Sequence, residues 1–260
     1  MTLLTAKDNK IIKNTVKLKK SAKHRRKEGL FIAEGVRICM DAMLSKASIE
    51  VFFVTEAAMQ RNNEEYLKLS GYCAKTYMVT PELFSHISDT QTPQGFLCVV
   101  KTLDKSCQFD TIKVNGKMIA LDQMQDPNNL GTVLRSAEAF GIDGIILSGD
   151  CCDIYSPKVV RGSMGAVFRI PFLICDSIES FLRANPQIES FAAVVDKNAT
   201  PVTSLSFPSP CAVVIGNEGN GLSASTIEAC THSITIPMNG KAESLNASVA
   251  ASVLIWEMTK

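Results

Sequence analysis

Apolar positions along this chain change period in a regular way. Over 10–27, Ile11, Ile12, Val16 and Leu18 recur at helical spacing among lysines, which predicts an amphipathic helix. The apolar run 30–35 reads as a short strand that turns into a helix over 36–45, followed by a strand at 49–54. A helix over 61–69, a strand at 76–79, a helix over 81–87 and a strand at 95–100 complete a small α/β unit. Residues 104–115 have no clear periodicity, so the pattern divides the chain into a domain at 1–103, a linker at 104–116 and a domain at 117–260.

The second half alternates steadily. Strands are predicted at 118–121, 144–147, 170–174, 190–195, 211–215 and 233–236, with helices over 131–140, 157–162, 177–185, 223–230 and 245–259. Continuous apolar strands alternating with helices imply an α/β fold with a mostly parallel sheet covered on both faces. No internal repeat interrupts this order.

Charge changes the picture more than composition does. The totals of 27 Lys+Arg and 26 Asp+Glu nearly cancel, yet 7–27 holds ten basic residues against the single acid Asp8, leaving 17 basic and 25 acidic residues elsewhere. A basic segment on an acidic body suits a phosphate backbone, with a solvated helix face as the plainer alternative. Nine cysteines without a CxxC pair, at Cys39, Cys73, Cys98, Cys107, Cys151, Cys152, Cys175, Cys211 and Cys230, read as reduced thiols. No signal-peptide core or membrane-length apolar run is present, and the expected location is the cytoplasm. His24, His86 and His232 are dispersed without ligand spacing, so no metal is expected.

Three segments place small or polar residues where an apolar strand ends, which is where open α/β sheets collect ligands. In 126–141, Asn129 and Gly131 stand at a helix mouth with Arg135 one turn on. They could bind an anion, or Asp126 or Asn129 could cap the helix while Arg135 pairs with Glu138. In 213–222, Gly216, Gly219 and Gly221 permit a sharp loop or a close ligand approach, but no phosphate-loop or dinucleotide fingerprint is present. Ser225 with Glu228 reads as a capping box for the next helix, which leaves Asn217 and Glu218 unexplained. In 236–257, Ser244 and Asn246 precede an apolar helix, and Ser244 could be its N-cap.

Taken together, Asn129-Leu130-Gly131 with Arg135, the run from Ile215 to Leu222, and Ile236-Pro237-Met238 with Ser244-Leu245-Asn246, Ser248 and Ala250 resemble the three motifs of the SpoU, or TrmH, family of RNA ribose 2′-O-methyltransferases. The resemblance covers roughly 117–260. Around Lys23 to Phe31, at Ala33-Glu34-Gly35 and at Thr92-Pro93-Gln94-Gly95, the N-terminal half resembles the ribosomal-protein-like RNA-binding domain that precedes the catalytic domain in many members.

This resemblance implies a SPOUT-type fold, with a parallel sheet whose C-terminal segment is tucked through a loop as a trefoil knot, acting as a homodimer. Periodicity reveals no knot, and general chain topology argues against one. The implied cofactor is S-adenosylmethionine, held by Ile215, Gly216, Asn217, Glu218, Gly219, Gly221, Ile236, Met238, Ser244, Leu245, Asn246 and Ala247. The implied reaction carries its methyl group to a ribose 2′-hydroxyl, with Asn129, Arg135, Glu218, Ser244 and Asn246 as catalytic positions. A guanidinium stays protonated in almost any setting, so Arg135 is read first as a phosphate clamp that stabilises alkoxide charge, ahead of a general base. Asn129 and Asn246 are expected to orient Arg135 and the ribose, Glu218 to fix loop or cofactor geometry, and Ser244 to bond near the nucleophile.

RNA contacts are expected at Lys17, Lys19, Lys20, Lys23, Arg25, Arg26 and Lys27, together with Arg135. Ribosomal RNA is the favoured substrate by analogy with the accessory domain, with transfer RNA as the alternative. A non-catalytic RNA-binding scaffold would not require all five polar positions. A Rossmann oxidoreductase is disfavoured by the missing early glycine fingerprint.

Overall fold

A computed structural model describes residues 2–260 and divides the chain into two compact units. One contains 1–103 and 153–168, the other 104–152 and 169–260. Two corrections to the expected boundaries follow. The segment 104–116 is no linker: it forms a single 3-10 turn and helix α7 (Phe109–Asn115), and Phe109 is buried with Met118, Ile146 and Phe181. One phenylalanine buried this way contributes about 2–3 kcal/mol, enough to fix so short a helix. The segment 153–168 joins the N-terminal unit, where Tyr155 and Phe168 pack on Phe31 with ring centroids 4.6 and 5.9 Å away.

The N-terminal unit is built on a five-stranded sheet in the order β1 (Thr2–Leu4), β4 (Thr76–Val79), β3 (Ile49–Val54), β5 (Phe96–Lys101), β2 (Leu30–Glu34). The first three strands run parallel, and β5 is antiparallel to both neighbours. The short β1 went unpredicted because three residues carry no period. The basic segment forms two helices rather than one, α1 (Lys10–Lys20) and α2 (Ala22–Glu28). Ser21 breaks them: its extended backbone ends α1, and its hydroxyl accepts from His24 N to cap α2. The helix expected over 61–69 is likewise two, α4 (Glu56–Arg61) and α5 (Asn63–Tyr72), while α3 (Val36–Leu44) and α6 (Pro81–Ile87) lie close to expectation.

The C-terminal unit carries a seven-stranded, all-parallel sheet. Its order is β10 (Thr200–Pro201), β12 (His232–Thr235), β9 (Glu189–Ala193), β11 (Cys211–Ile215), β6 (Lys117–Leu121), β7 (Gly144–Ser148), β8 (Phe172–Cys175). Every residue of β7 and β11 is buried, as central strands covered on both faces require. From β6 the chain proceeds through β7, α9 (Pro157–Gly162) and α10 (Ala166–Arg169) to β8 on one side, then through α11 (Ile178–Ala184) builds β9, β11 and β12 on the other. The strand order therefore reverses between β6 and β11, and the crevice beyond their carboxyl ends is the place where such sheets bind ligands.

Candidate active site

Three chain segments meet at that crevice. After β11, Gly216 and Gly221 are pressed together: a β-carbon on Gly216 would stand 2.3 Å from the Gly221 carbonyl carbon, so only glycine fits. Gly221 itself has φ +67°. Asn217 closes the loop, exchanging backbone bonds with Gly221 at 3.0 and 2.9 Å and accepting on Oδ1 from Gly219 N and Asn220 N. Its Nδ2 donates to Gln123 O at 2.9 Å, which ties this loop to the one after β6.

Glu218 makes the second tie. Its carboxylate accepts from Gln125 N at 3.1 Å, Asp126 N at 2.9 Å and Asn129 Nδ2 at 3.0 Å. Asn129 lies in α8 (Pro127–Ala139), which starts earlier than expected because Pro127 occupies its first turn and Asp126 caps it. Asn129 Oδ1 in turn accepts from Asn246 Nδ2 at 3.1 Å. Asn246, not Ser244, is the N-cap of α13 (Ala247–Thr259), its Oδ1 accepting from Ser248 N and Val249 N. Glu218, Asn129 and Asn246 thus form one continuous chain across the three segments. Burial pushes the Glu218 pKa up, but the bonds from Asn129, Gln125 and Asp126 outweigh it and hold the carboxyl below its ordinary range.

Two adjoining cavities flank this chain. One, of 430 Å³, is walled by Ile215 to Leu222, Ile234 to Ile236, Met238, Leu245 and Leu254. Its size falls within the 300–1,000 Å³ typical of small-molecule sites. Eleven of the twelve expected cofactor positions line it; Asn246 lines only the other cavity. That second cavity, of 670 Å³, is wide open and polar, with Gln125, Asp126, Asn129, Glu218 and Asn246 on its walls. Ser244 and Leu245 face both. An apolar, glycine-edged slot beside a polar mouth fits a small ligand that is apolar on one side and polar at one end.

Arg135 is not among these residues. Six positions beyond Asn129 on α8, it emerges on a different face, is exposed, has no hydrogen bond or ion pair among the described residues, and lines neither cavity. The alternative of a surface pair between Arg135 and Glu138 is also absent, and Glu138 instead accepts from Arg169 Nε at 2.6 Å. Nor does Ser225 start the helix after the glycine loop: Ser223 caps α12 (Ala224–Ala229).

Residue spacing missed Gln123 and Asp122. Gln123 has φ +57° and receives the Asn217 bond, while the buried Asp122 accepts from Thr226 Oγ1 at 2.9 Å. A polar pair directly after an apolar strand was the available signal.

In the N-terminal unit, Lys17, Lys20, Lys23, Arg26 and Lys27 are exposed along α1 and α2. Lys19 is partly withdrawn, its Nζ donating to His86 O and Ser88 O at 2.9 and 2.7 Å, and burial lowers its pKa. Arg25 corrects the expected RNA-contact set. It is 4% exposed, donates to Leu18 O at 2.6 Å and pairs with Asp153 at 2.7 Å, so its guanidinium serves the fold. Helical periodicity put it among the cations; only the arrival of Asp153, 128 residues later, turned it inward. Among the described residues no three His, Cys, Asp or Glu side chains are placed to hold a metal, and no helix is long and apolar enough to cross a membrane.

A parallel sheet with a cofactor-sized slot at its switch point, in one chain with a basic α/β unit, defines a two-part ligand-binding α/β protein. The SpoU rRNA Methylase family matches residues 116–256, more than half the chain, and the MRM3-like substrate binding domain matches residues 9–98. The chain belongs to the SpoU rRNA methylase family. It is 30% identical over 256 residues to an uncharacterised tRNA/rRNA methyltransferase of Synechocystis, covering 98% of this chain and 92% of that one. It is 27% identical to the 23S rRNA (guanosine(2553)-2′-O)-methyltransferase of Bacillus subtilis, covering 99% of both.

Solved structures agree in fold. An AdoMet-bound rRNA methyltransferase from Sinorhizobium meliloti superimposes with a TM-score of 0.87 at 26% identity, over 98% of this chain and 96% of that one. The SpoU methyltransferase AviRb from Streptomyces viridochromogenes, in complex with AdoMet, gives 0.84 at 25% identity, over 96% of both chains.

Proposed function

We propose that this protein methylates a ribose 2′-hydroxyl of ribosomal RNA, using S-adenosylmethionine. The observation that carries the reading is the Glu218–Asn129–Asn246 chain, which seats a cofactor-sized slot against a polar mouth wide enough for a sugar. Once bound, the cofactor would supply an electrophilic methyl group on a sulfonium that departs as the neutral thioether, and the proton lost by the hydroxyl passes to water in the open polar cavity. Gly216 to Leu222, Ile236, Met238 and Leu245 hold the cofactor through backbone and apolar contact. Ser244, exposed between the two cavities, bonds to the incoming hydroxyl.

The amide orientations follow from their partners. Asn246 Oδ1 is spent on the helix and one Nδ2 hydrogen on Asn129, so its second hydrogen is left to face the polar cavity. Asn129 is fixed at both ends and works as a positioning residue. Glu218 is engaged by three donors with its pKa held low, which makes it a loop clamp and a poor base.

Arg135 acts from a second copy of the chain. It stands on α8, which packs on α13 through Ser136 and Ser252 at 2.8 Å, and this helix pair exposes Phe140, Val249 and Trp256 by 40, 49 and 53%. An apolar face of that kind calls for a partner, and a homodimer through it would bring each guanidinium to the other copy's mouth, clamping a phosphate and offsetting alkoxide charge. The return of α13 from the β12 side of the sheet to α8 agrees with a knotted C-terminal segment.

The test is transfer of labelled methyl to an unmodified transcript of large-subunit ribosomal RNA. Arg135→Ala should lose about 100-fold or more in turnover while calorimetry shows unchanged S-adenosylmethionine binding. Absence of transfer by the wild type, or equal rates for the variant, would defeat the reading.

A further inference from the structure

Two motifs of the N-terminal half, Ala33-Glu34-Gly35 and Thr92-Pro93-Gln94-Gly95, take no part in the methyl-transfer site. The structure brings them together: Glu34, Gly35, Thr92 and Gln94 line one cleft of 390 Å³. Its floor is rigid. The buried Glu34 carboxylate accepts from Ser88 Oγ, from Thr90 Oγ1 at 2.7 Å and from Asp89 N at 2.8 Å, while Lys19 fastens the same loop from the other side. Gln94 Oε1 accepts from Val36 N at 3.1 Å, and Gly35, at φ +105°, leaves the space for it. On the opposite wall Met164 holds φ +50°, a conformation non-glycine residues adopt at a cost and one that clusters at ligand sites.

The chemistry of the walls narrows the occupant. Arg37 is exposed and has no ion pair or side-chain hydrogen bond among the described residues. Arg161 is held by Asp89 through both terminal nitrogens at 3.2 Å, which fixes the guanidinium plane at the rim and leaves its remaining N–H groups to donate. The half-buried Met164 offers an apolar, polarisable surface, and Ile38 beside the cleft is buried. Around it stand the Thr90 and Thr92 hydroxyls and the Gln94 amide. The carboxylate in the floor repels a phosphate from the interior and leaves it at the two arginines, so an anion alone does not fill the cleft. A base inside with its phosphate at the rim does. The neighbouring surface is cationic: after burial, the charges of Lys7, Lys19 and Lys20 hold the His86 imidazole below its ordinary pKa.

We propose that this cleft is a nucleotide-recognition subsite that takes one unpaired nucleotide of the substrate RNA, its base against Met164 and its phosphate on Arg37 and Arg161. The inference rests on the reading of the chain as an RNA methyltransferase. The experiment measures affinity for the large-subunit RNA transcript at several salt concentrations, alongside steady-state methylation, in the full-length protein. Arg37→Ala should weaken binding about tenfold and reduce the salt slope by about 0.7. Thr92→Trp, which fills the cleft from an exposed position, should raise KM for RNA about tenfold with kcat and S-adenosylmethionine affinity unchanged.

Wild-type affinity and slope in both variants would overturn the subsite. Displacement of the transcript by 5′-mononucleotides at millimolar concentration would overturn it too, by making the cleft a free-nucleotide site. If the wild type binds the transcript without methylating it, the catalytic reading fails, while the affinities of the two variants still decide the cleft.

Discussion

Glu34 in the N-terminal unit and Glu218 in the C-terminal unit each gather three donors onto one carboxylate and thereby fasten a neighbouring loop. Their surroundings are opposite. Glu34 is 8% exposed and its partners include two hydroxyls from the loop it holds, whereas Glu218 lies exposed where two cavities meet. A buried carboxylate and the buried Ser88 hydroxyl need each other, because neither has water to turn to once the other is removed. An exposed one makes the same bonds replaceable. The difference lies in water: the N-terminal unit ties its loop to a carboxylate withdrawn from solvent, while the loops of the C-terminal unit are tied by one that solvent reaches.

The comparison breaks first at Glu34. Glu34→Ala strands the buried Ser88 hydroxyl and should lower stability by about 2 kcal/mol in urea unfolding. A loss under about 1 kcal/mol would mean that the loop is held by something else. Glu218→Ala should do the reverse, leaving the unfolding midpoint almost unchanged while S-adenosylmethionine affinity drops about fivefold, the scale of one exposed charge-assisted contact.

The smallest expected effect sharpens the same contrast through pH. Glu218 titrates below its ordinary value of 4.5 in the folded chain, so its contribution is fully present above that value and is lost as pH falls through the lowered folded pKa. Stability curves of the wild type and Glu218→Gln should therefore lie slightly apart at neutral pH and converge in acid. Parallel curves from pH 7 down to 3 would show that ionisation of Glu218 is irrelevant to the clamp.

Much of this was legible in the chain. Fully apolar β11 and the apolar run Gly144 to Leu147 of β7 announced a parallel sheet, because a strand buried on both faces has little polar side to show. The glycine loop announced itself through Gly216, which tolerates no β-carbon. Less was legible where partners are remote. Arg25 reads as one more cation of a basic helix until Asp153 is seen beside it, and 104–116 reads as a linker until Phe109 is seen in the core. The separation of Arg135 from Asn129, by contrast, was legible from spacing, since two positions six residues apart leave a helix on different sides.

Local pattern determined the strand and helix types, the polarised charge and the three segments that carry the chemistry, because each depends on a residue and its near neighbours. Tertiary structure alone decided which polar groups share a proton, which cation is buried, and that two N-terminal motifs wall one cleft. Hydrogen bonds and desolvation act over a few ångströms in space, and sequence distance does not measure that separation.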